Sequence, residues 1–258
     1  MKRGPRDLLE LLLDLVFPKR CVQCGVAGAW LCPRCLEGLR PVEGGCRRCG
    51  RPAARPADSC PECRGRDLGF VSARAAYVYD GAARSLVTAC KFRYLRALVR
   101  EMAALAEPRF RAALPAPPDV PSGPPSEADD GPLVTCVPAD RGRRLERGFN
   151  QAELLAQELA ARAGLRFAPV LARTRPGARQ STLHGARRRE NVSGAFAVRP
   201  EALPLVRRSK RVVIVDDVYT TGETLSQCAA ALRDKGCEVR AFTFARTVRH
   251  TSPAVAET

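Results

Sequence analysis

The sequence predicts an α/β fold: a parallel sheet flanked by helices, preceded by a small cysteine-rich module. Three observations carry this. Cysteines stand in four C-x-x-C pairs between residues 21 and 63. From Leu133 onward, short apolar runs alternate with helical patterns, the order that parallel pairing with right-handed crossovers requires. One run, Arg211 to Val215, passes directly into Asp216, Asp217 and a loop of hydroxyls with one glycine, the form of a ligand-binding strand end.

At 258 residues the chain has room for one sizeable domain and a smaller one. Its net charge of +16 comes from 43 basic against 27 acidic residues, and nearly all the bases are arginine. The planar arginine fork suits phosphate, so the surplus points to polyanionic partners, with a merely solvated basic surface as the plain alternative. Disulfides are not expected from the twelve cysteines. Leu8 to Phe17 is short, carries Glu10 and Asp14, and has no small-residue cleavage site, so it does not read as a secretory signal. No stretch approaches the ~18 apolar residues of a membrane span. A reducing cytoplasm is therefore expected, where clustered cysteines usually mean metal.

The elements follow in order. Residues 6–17 (RDLLELLLDLVF) place Leu8, Leu9, Leu12, Leu15 and Val16 at helical spacing, an amphipathic helix over 1–17 that packs on its own domain or docks to a partner or membrane surface. Pro18 ends it. Residues 18–66 form the cysteine module, and 67–250 the main domain. Within the latter, 70–80 (FVSARAAYVYD) reads as a strand. Gly81 to Phe110 reads as a helical stretch with Leu86, Cys90, Tyr94, Leu98, Met102 and Leu105 on one face. Residues 114–132 are rich in proline and acids and read as a flexible loop. Leu133 to Val137 is the next strand. Asn150 to Ala163 is a helix with Asn150 as cap, Glu153 at the third helical position and Phe149 placed to staple against Leu154. Residues 172–195 are loop-like and dense in arginine. Arg211 to Val215 is a buried strand, Thr224 to Lys235 a helix closed by Gly236, and Cys237 to Ala245 a strand. Residues 251–258 form a disordered tail.

The cysteine pairs are Cys21/Cys24, Cys32/Cys35, Cys46/Cys49 and Cys60/Cys63. A two-residue spacer lets both sulfurs of a pair reach one metal, and four thiolates complete a tetrahedral zinc shell. Eight thiolates make two structural Zn2+ sites of four cysteines each. The simplest partition is sequential, with a cross-braced one as the alternative. Neither site has an open coordination position. Each centre carries −2, so two would bring +16 to about +12, still strongly basic. Cys90, Cys136, Cys228 and Cys237 stand alone on apolar elements and read as core.

At the acidic pair, the residue types divide the work. Thr220, Thr221, Gly222, Glu223 and Thr224 wrap onto a helix start, where free N–H groups and the dipole favour phosphate. The glycine permits close backbone approach and the threonines supply hydroxyls. Asp216 and Asp217 suit sugar hydroxyls and Mg2+ instead. One stretch can therefore hold a ribose 5-phosphate.

The segment Val212 to Thr224 (VVIVDDVYTTGET) resembles the phosphoribosyl pyrophosphate (PRPP) motif of type I phosphoribosyltransferases. More of the chain is similar to one subfamily. Val137-Pro138 with Arg147-Gly148-Phe149-Asn150-Gln151 resembles the VP…RGFNQ signature of the ComF family. So does Arg173-Thr-Arg175 followed by Arg179-Gln180, with Arg187 and Asn191 beyond. A double zinc ribbon ahead of the transferase domain is also similar to many ComF members. This chain departs at Ala139 and Asp140, where members often carry leucine and histidine. The resemblance implies a type I phosphoribosyltransferase-like sheet. Asp216 and Asp217 would bind the ribose, directly or through Mg2+, and residues Thr220 to Thr224 the 5-phosphate. Pro138, Ala139, Asp140 and Arg141 would face pyrophosphate. Arg144, Arg147, Arg173, Arg175, Arg179, Gln180, Arg187 and Asn191 would belong to basic or mobile loops closing over PRPP.

Each basic candidate has a plainer reading. Arg187-Arg-Arg189 forms a solvated run, Asn150 a helix cap, His184 a surface residue, and His250 part of a frayed tail. Lys91-Phe-Arg-Tyr94 mixes bases with aromatics that can stack on nucleobases, while its helical spacing puts Phe92 or Tyr94 in the core. The family implies a cytoplasmic protein of natural competence that handles single-stranded DNA with competence-machinery proteins at the inner face of the membrane. The alternatives are an active phosphoribosyltransferase with an unknown acceptor, and a PRPP-sensing regulator or adaptor.

Overall fold

The computed structural model describes residues 19–92, 96–115, 131–140, 142, 145, 148–174 and 194–248. The expected N-terminal helix at 6–17, most of the 114–132 loop and the C-terminal tail lie outside these residues.

The first described elements belong to the cysteine module: helix α1 (Pro33–Glu37) and strands β1 (Gly44–Cys46) and β2 (Ala53–Ala57), which pair with each other. The main domain then alternates as expected. Strand β3 (Ser72–Val78) is followed by α2 (Gly81–Phe92) and α3 (Ala97–Ala113), β4 (Leu133–Cys136), α4 (Gln151–Ala163), the short pair β5 (Leu171–Arg173) and β6 (Phe196–Val198), α5 (Leu203–Ser209), β7 (Arg211–Tyr219), α6 (Glu223–Arg233) and β8 (Glu238–Arg246). The principal sheet runs β3-β8-β7-β4, and each of its neighbouring strands is parallel.

The apolar runs of β7 and β8 are continuous because both faces of this sheet are covered. Side chains alternate. Val213 and Val215 face a core built with α2, α3 and α4, where Phe110 meets Phe242 edge-on at 5.1 Å between ring centres. Val212 and Ile214 face the opposite core, with Leu225, Cys228, Ala229 and Leu232 of α6 and Val206 of α5. The four isolated cysteines, Cys90, Cys136, Cys228 and Cys237, are all buried in these layers, as expected.

Several boundaries differ from the sequence expectation. The stretch 81–110 is two helices, α2 and α3, and α3 extends to Ala113. Strand β7 continues through the acids to Tyr219, four residues past the expected end at Val215. The physical reason is β8: it pairs Asp216 with Thr243, Val218 with Ala245 and Tyr219 with Arg246, so the ladder persists where acids and hydroxyls suggest a loop. The β5–β6 pair, whose strands flank the arginine-dense region, carries no strong alternation and was not expected. Helix α4 starts as expected. The Asn150 side chain accepts from Ala152 N at 3.2 Å and Glu153 sits in the first turn.

The cysteine module is laid along the main domain. Val78 N donates to Arg40 O at 2.8 Å, Val42 N to Ala76 O at 3.1 Å, and Ala73 N to Arg48 O at 2.7 Å. The outer edge of β3 is thereby hydrogen-bonded rather than left open. Gly69, at φ +67°, passes so close to α6 that a Cβ there would lie 2.6 Å from Ser226 O.

Candidate functional site

The two metal clusters come first in the chain. Cys21, Cys24, Cys32 and Cys35 form one group and Cys46, Cys49, Cys60 and Cys63 the other, with the sulfurs of each within 4.8 Å of one another. The partition is sequential, not cross-braced. Sulfur separations are 3.6 Å for Cys24–Cys32 and 3.4 Å for both Cys46–Cys63 and Cys49–Cys60. A disulfide would bring sulfurs to about 2 Å. A tetrahedral thiolate shell on zinc spaces them by about 3.8 Å, and these donors fit it.

The acidic pair lies at the point where β4 stops and β7 goes on. Cys136 pairs with Val215, and Val137 N still donates to Val215 O at 3.1 Å. From Asp216 onward β7 is held on the β8 side alone. Asp216 and Asp217 are half-buried, and Asp216 Oδ1 accepts from Asp217 N at 2.8 Å. Burial, and then the neighbouring charge of Asp217, push the Asp216 carboxyl up to about 7. The Lys91 ammonium at the end of α2 lies 2.8 Å from Asp217 Oδ2 and opposes that rise. Cys228 of α6 remains a thiol, raised by its burial and then by the charge of Asp216.

Beyond the strand, Thr220 and Thr221 are exposed and Gly222 caps α6 at φ +75°. The ring of Tyr219 lies under this turn: a Cβ on Gly222 would stand 2.1 Å from Tyr219 Oη. Glycine is required here by both conformation and space. The Thr221 hydroxyl accepts from Glu223 N at 3.4 Å, which leaves it at the mouth of the helix N-terminus. Thr224, in the first turn of α6, is half-buried. The Glu223 carboxylate is turned aside, with Oε2 3.2 Å from Arg66 Nη2 and Oε1 accepting from Gln227 at 2.8 Å.

The neighbouring loop begins at Pro138 and Ala139, both half-buried beside the strand end. Asp140 Oδ1 accepts from Gly142 N at 3.0 Å, and its Oδ2 lies 3.9 Å from Arg173 Nη1. Arg173 also sits over the Phe196 ring at 5.0 Å, so β5 brings one expected basic residue to the loop. Asn150 Nδ2 donates to Val137 O at 3.1 Å, fixing the strand end to the start of α4. Arg141, Arg144, Arg147, Arg175, Arg179, Gln180, Arg187 and Asn191 lie outside the described residues, as do His184, Tyr94 and His250.

Three residues of this neighbourhood were not expected from the sequence. Lys91 reaches Asp217 from a helix that no motif connects to the acids. Arg66 reaches the turn from the cysteine module. Arg246, the last residue of β8, is buried with its guanidinium 4.0 Å from the centre of the Tyr219 ring. Their sequence signal is slight: Lys91 follows Cys90, Arg246 ends the apolar run of β8, and Arg66 stands three residues past Cys63. Of Phe92 and Tyr94, one of which was expected in the core, Phe92 is 66% exposed and Tyr94 lies outside the described residues. Two residues past buried Cys90 is ~200° around a helix, the far side.

The comparisons agree with this division. A double zinc ribbon domain matches residues 12–64 and a phosphoribosyl transferase domain matches 150–255. DNA utilization protein YhgH of Salmonella typhimurium is 30% identical over 240 residues, which cover 91% of this chain and all of that one. Competence protein F of Haemophilus influenzae is 36% identical over 105 residues, 40% of this chain and 44% of its own length. Competence protein ComFC of Bacillus subtilis is 25% identical over 230 residues, 84% of each chain. A ribbon module joined to a transferase sheet, matched along the full length of such a relative, makes this chain a member of the ComF family.

Proposed function

We propose that the chain binds PRPP at the end of β7 and serves natural competence in the uptake or processing of single-stranded DNA. One observation carries the reading. The acidic pair at the open flank of β7 runs directly into a glycine-capped helix start, so sugar-binding and phosphate-binding groups lie on one continuous stretch. Residues Thr220 to Thr224 then hold the 5-phosphate, and Pro138 to Arg141 face the pyrophosphate.

The carboxylates are hard oxygen donors of the kind Mg2+ takes, and Asp216 and Asp217 would hold that ion with the sugar. Bound there, Mg2+ would offset the charge of the pyrophosphate. The protein's own part is to orient the ribose through the acids, fix the 5-phosphate at the helix start, and keep Lys91 beside Asp217. The transferase domain is taken as 67–250 and the ribbon module as 18–66. The relatives' names and the net charge of +16 support a DNA-linked role. A place in the cytoplasm or at the inner face of the membrane follows from that role. Among the described residues no helix is long and apolar enough to cross a membrane.

Calorimetric titration with PRPP and Mg2+ tests the site. Asp216→Asn with Asp217→Asn should abolish binding, and unchanged affinity would remove the assignment. Single-strand affinity should fall steeply as salt rises; a flat response would count against direct DNA contact. Pyrophosphate release on adding nucleobase or amine acceptors separates a transferase from a binder.

A further inference from the structure

The second ribbon reaches the turn between β7 and α6 along two routes. Arg66, three residues past Cys63, forms the first. Its Nη1 donates to Thr221 O at 3.2 Å and to Glu62 O at 3.3 Å, and its Nη2 to Glu223 Oε2 at 3.2 Å. The guanidinium therefore ties a backbone carbonyl of the turn to the ribbon. It also neutralises the one carboxylate among residues 220–224. That carboxylate stands at the first position of α6, where an unpaired acid is attracted to the same N–H groups as an incoming phosphate. Arg66 and Gln227 between them hold both its oxygens away.

Arg246 forms the second route. Its Nη1 donates to Cys49 O at 2.6 Å, and its Nη2 to Glu62 Oε2 at 3.0 Å and towards Cys49 Sγ at 3.7 Å. Its guanidinium lies on the Tyr219 ring, and that ring is the floor under Gly222. Cluster ligand, buried arginine, aromatic ring and capping glycine thus stand in contact in sequence. Glu62, between Cys60 and Cys63, serves both routes, through its carbonyl to Arg66 and its carboxylate to Arg246.

We propose that the second zinc ribbon is a wall of the phosphate site, with Arg66 and Arg246 as positioning residues that set the affinity of the turn for a 5-phosphate. This rests on the reading that residues 220–224 bind that phosphate. Zinc held by Cys46, Cys49, Cys60 and Cys63 would fix Glu62, from which both arginines are hung, and the Cys49 carbonyl that Arg246 also meets. The ribbon therefore contributes to phosphate binding without a ligand of its own in the site.

The test uses the full chain with ribose 5-phosphate and with PRPP as probes. Arg66 is partly exposed, and Arg66→Met should keep two zinc ions per chain and an unchanged melting temperature while weakening both probes about tenfold. Glu223→Gln placed in that background should recover part of the loss, since the unpaired carboxylate is then gone; a double-mutant cycle reads the coupling. Arg66→Lys should fall between, because a single ammonium can replace only some of the three guanidinium hydrogen bonds. Wild-type binding with an unchanged Arg66→Met, or a loss that Glu223→Gln does not relieve, overturns the proposal alone. A wild-type chain that binds neither probe overturns the phosphate-site reading, and this proposal with it.

Discussion

Two four-cysteine clusters with identical C-x-x-C spacing end up in opposite circumstances. In the first, Cys24 is exposed and Cys32 and Cys35 are half-buried, and the surrounding Val22, Trp30 and Leu31 rest only partly covered against the helical face of the core. In the second, all four cysteines are buried and belong to the same apolar cluster as α6 and the central strands. The second is also bonded outward: to β3 through Arg48, to β8 through Cys49 and Arg246, and through the adjoining Asp67 to Arg233 of α6 at 2.6 and 2.8 Å. That pairing, chiefly the Arg233 hydrogen bonds, holds the Asp67 carboxyl down at about 2. Ligand chemistry fixes how a ribbon folds on its metal. What the ribbon then supports depends on the residues between and after its cysteines.

The largest expected effect breaks this symmetry directly. Structural zinc supplies on the order of 10 kcal/mol of folding free energy to a small ribbon. Cys60→Ser should remove one zinc and lower the melting temperature of the whole transferase core, because the ribbon and the α6 layer share one apolar cluster. Cys24→Ser should also remove one zinc, yet leave the core transition close to wild type. Calorimetric scans paired with zinc content read both. Equal losses from the two variants would erase the distinction between the clusters.

Buried Arg246 gives the next effect. Arg246→Met leaves the Cys49 carbonyl without its donor inside the fold and takes one of two arginines from the partly exposed Glu62 carboxylate, where Arg51 remains at 3.5 Å, a loss of about 2 kcal/mol in denaturant unfolding. Arg40, whose pair with Asp80 at 2.8 Å lies on the surface, should cost under about 1 kcal/mol when changed to Met. If the two variants unfold alike, Arg246 is not the tie described.

The same contrast marks what could be read in the chain beforehand. Metal sites, the parallel pairing of the sheet and the acid–threonine–glycine stretch are legible because spacing, period and turn chemistry are local properties; the strand order β3-β8-β7-β4 is not. C-x-x-C pairs, the run Val212 to Val215 and the Asn150 cap each specify their outcome within a few residues. Arg66, Arg246 and Lys91 were not legible. Their roles depend on partners 155, 197 and 126 positions away in the chain, and only the fold supplies those. Strand β7 was cut short for a related reason. Asp216 and Asp217 have poor strand propensity, and pairing with β8 overrides it. Of the two aromatics expected to share the core between them, Phe92 is exposed and Tyr94 lies outside the described residues.

The acidic pair is reached by neither ribbon, so its titration should be indifferent to both, and this is the smallest and most specific effect. Asp216 sits at about 7 in the folded chain against an ordinary 3.8, so the folded state prefers its protonated form. The linked stability is fully present below about 4 and is lost as pH climbs to about 7. Above neutrality Asp216 is a half-buried charge beside Asp217, and Asp216→Asn should raise the melting temperature there while removing Mg–PRPP binding. In the wild type, that binding should strengthen a few-fold as pH rises through about 7, because the carboxylate form is the one that holds the cation. Asp217→Asn should move the midpoint down by removing the like charge, and Lys91→Met should move it up by removing the opposing cation. Cys24→Ser and Arg66→Met should leave the midpoint in place even where Arg66→Met lowers the affinity. A midpoint that moves in Arg66→Met would mean that the second ribbon reaches the sugar end of the site as well as the phosphate end.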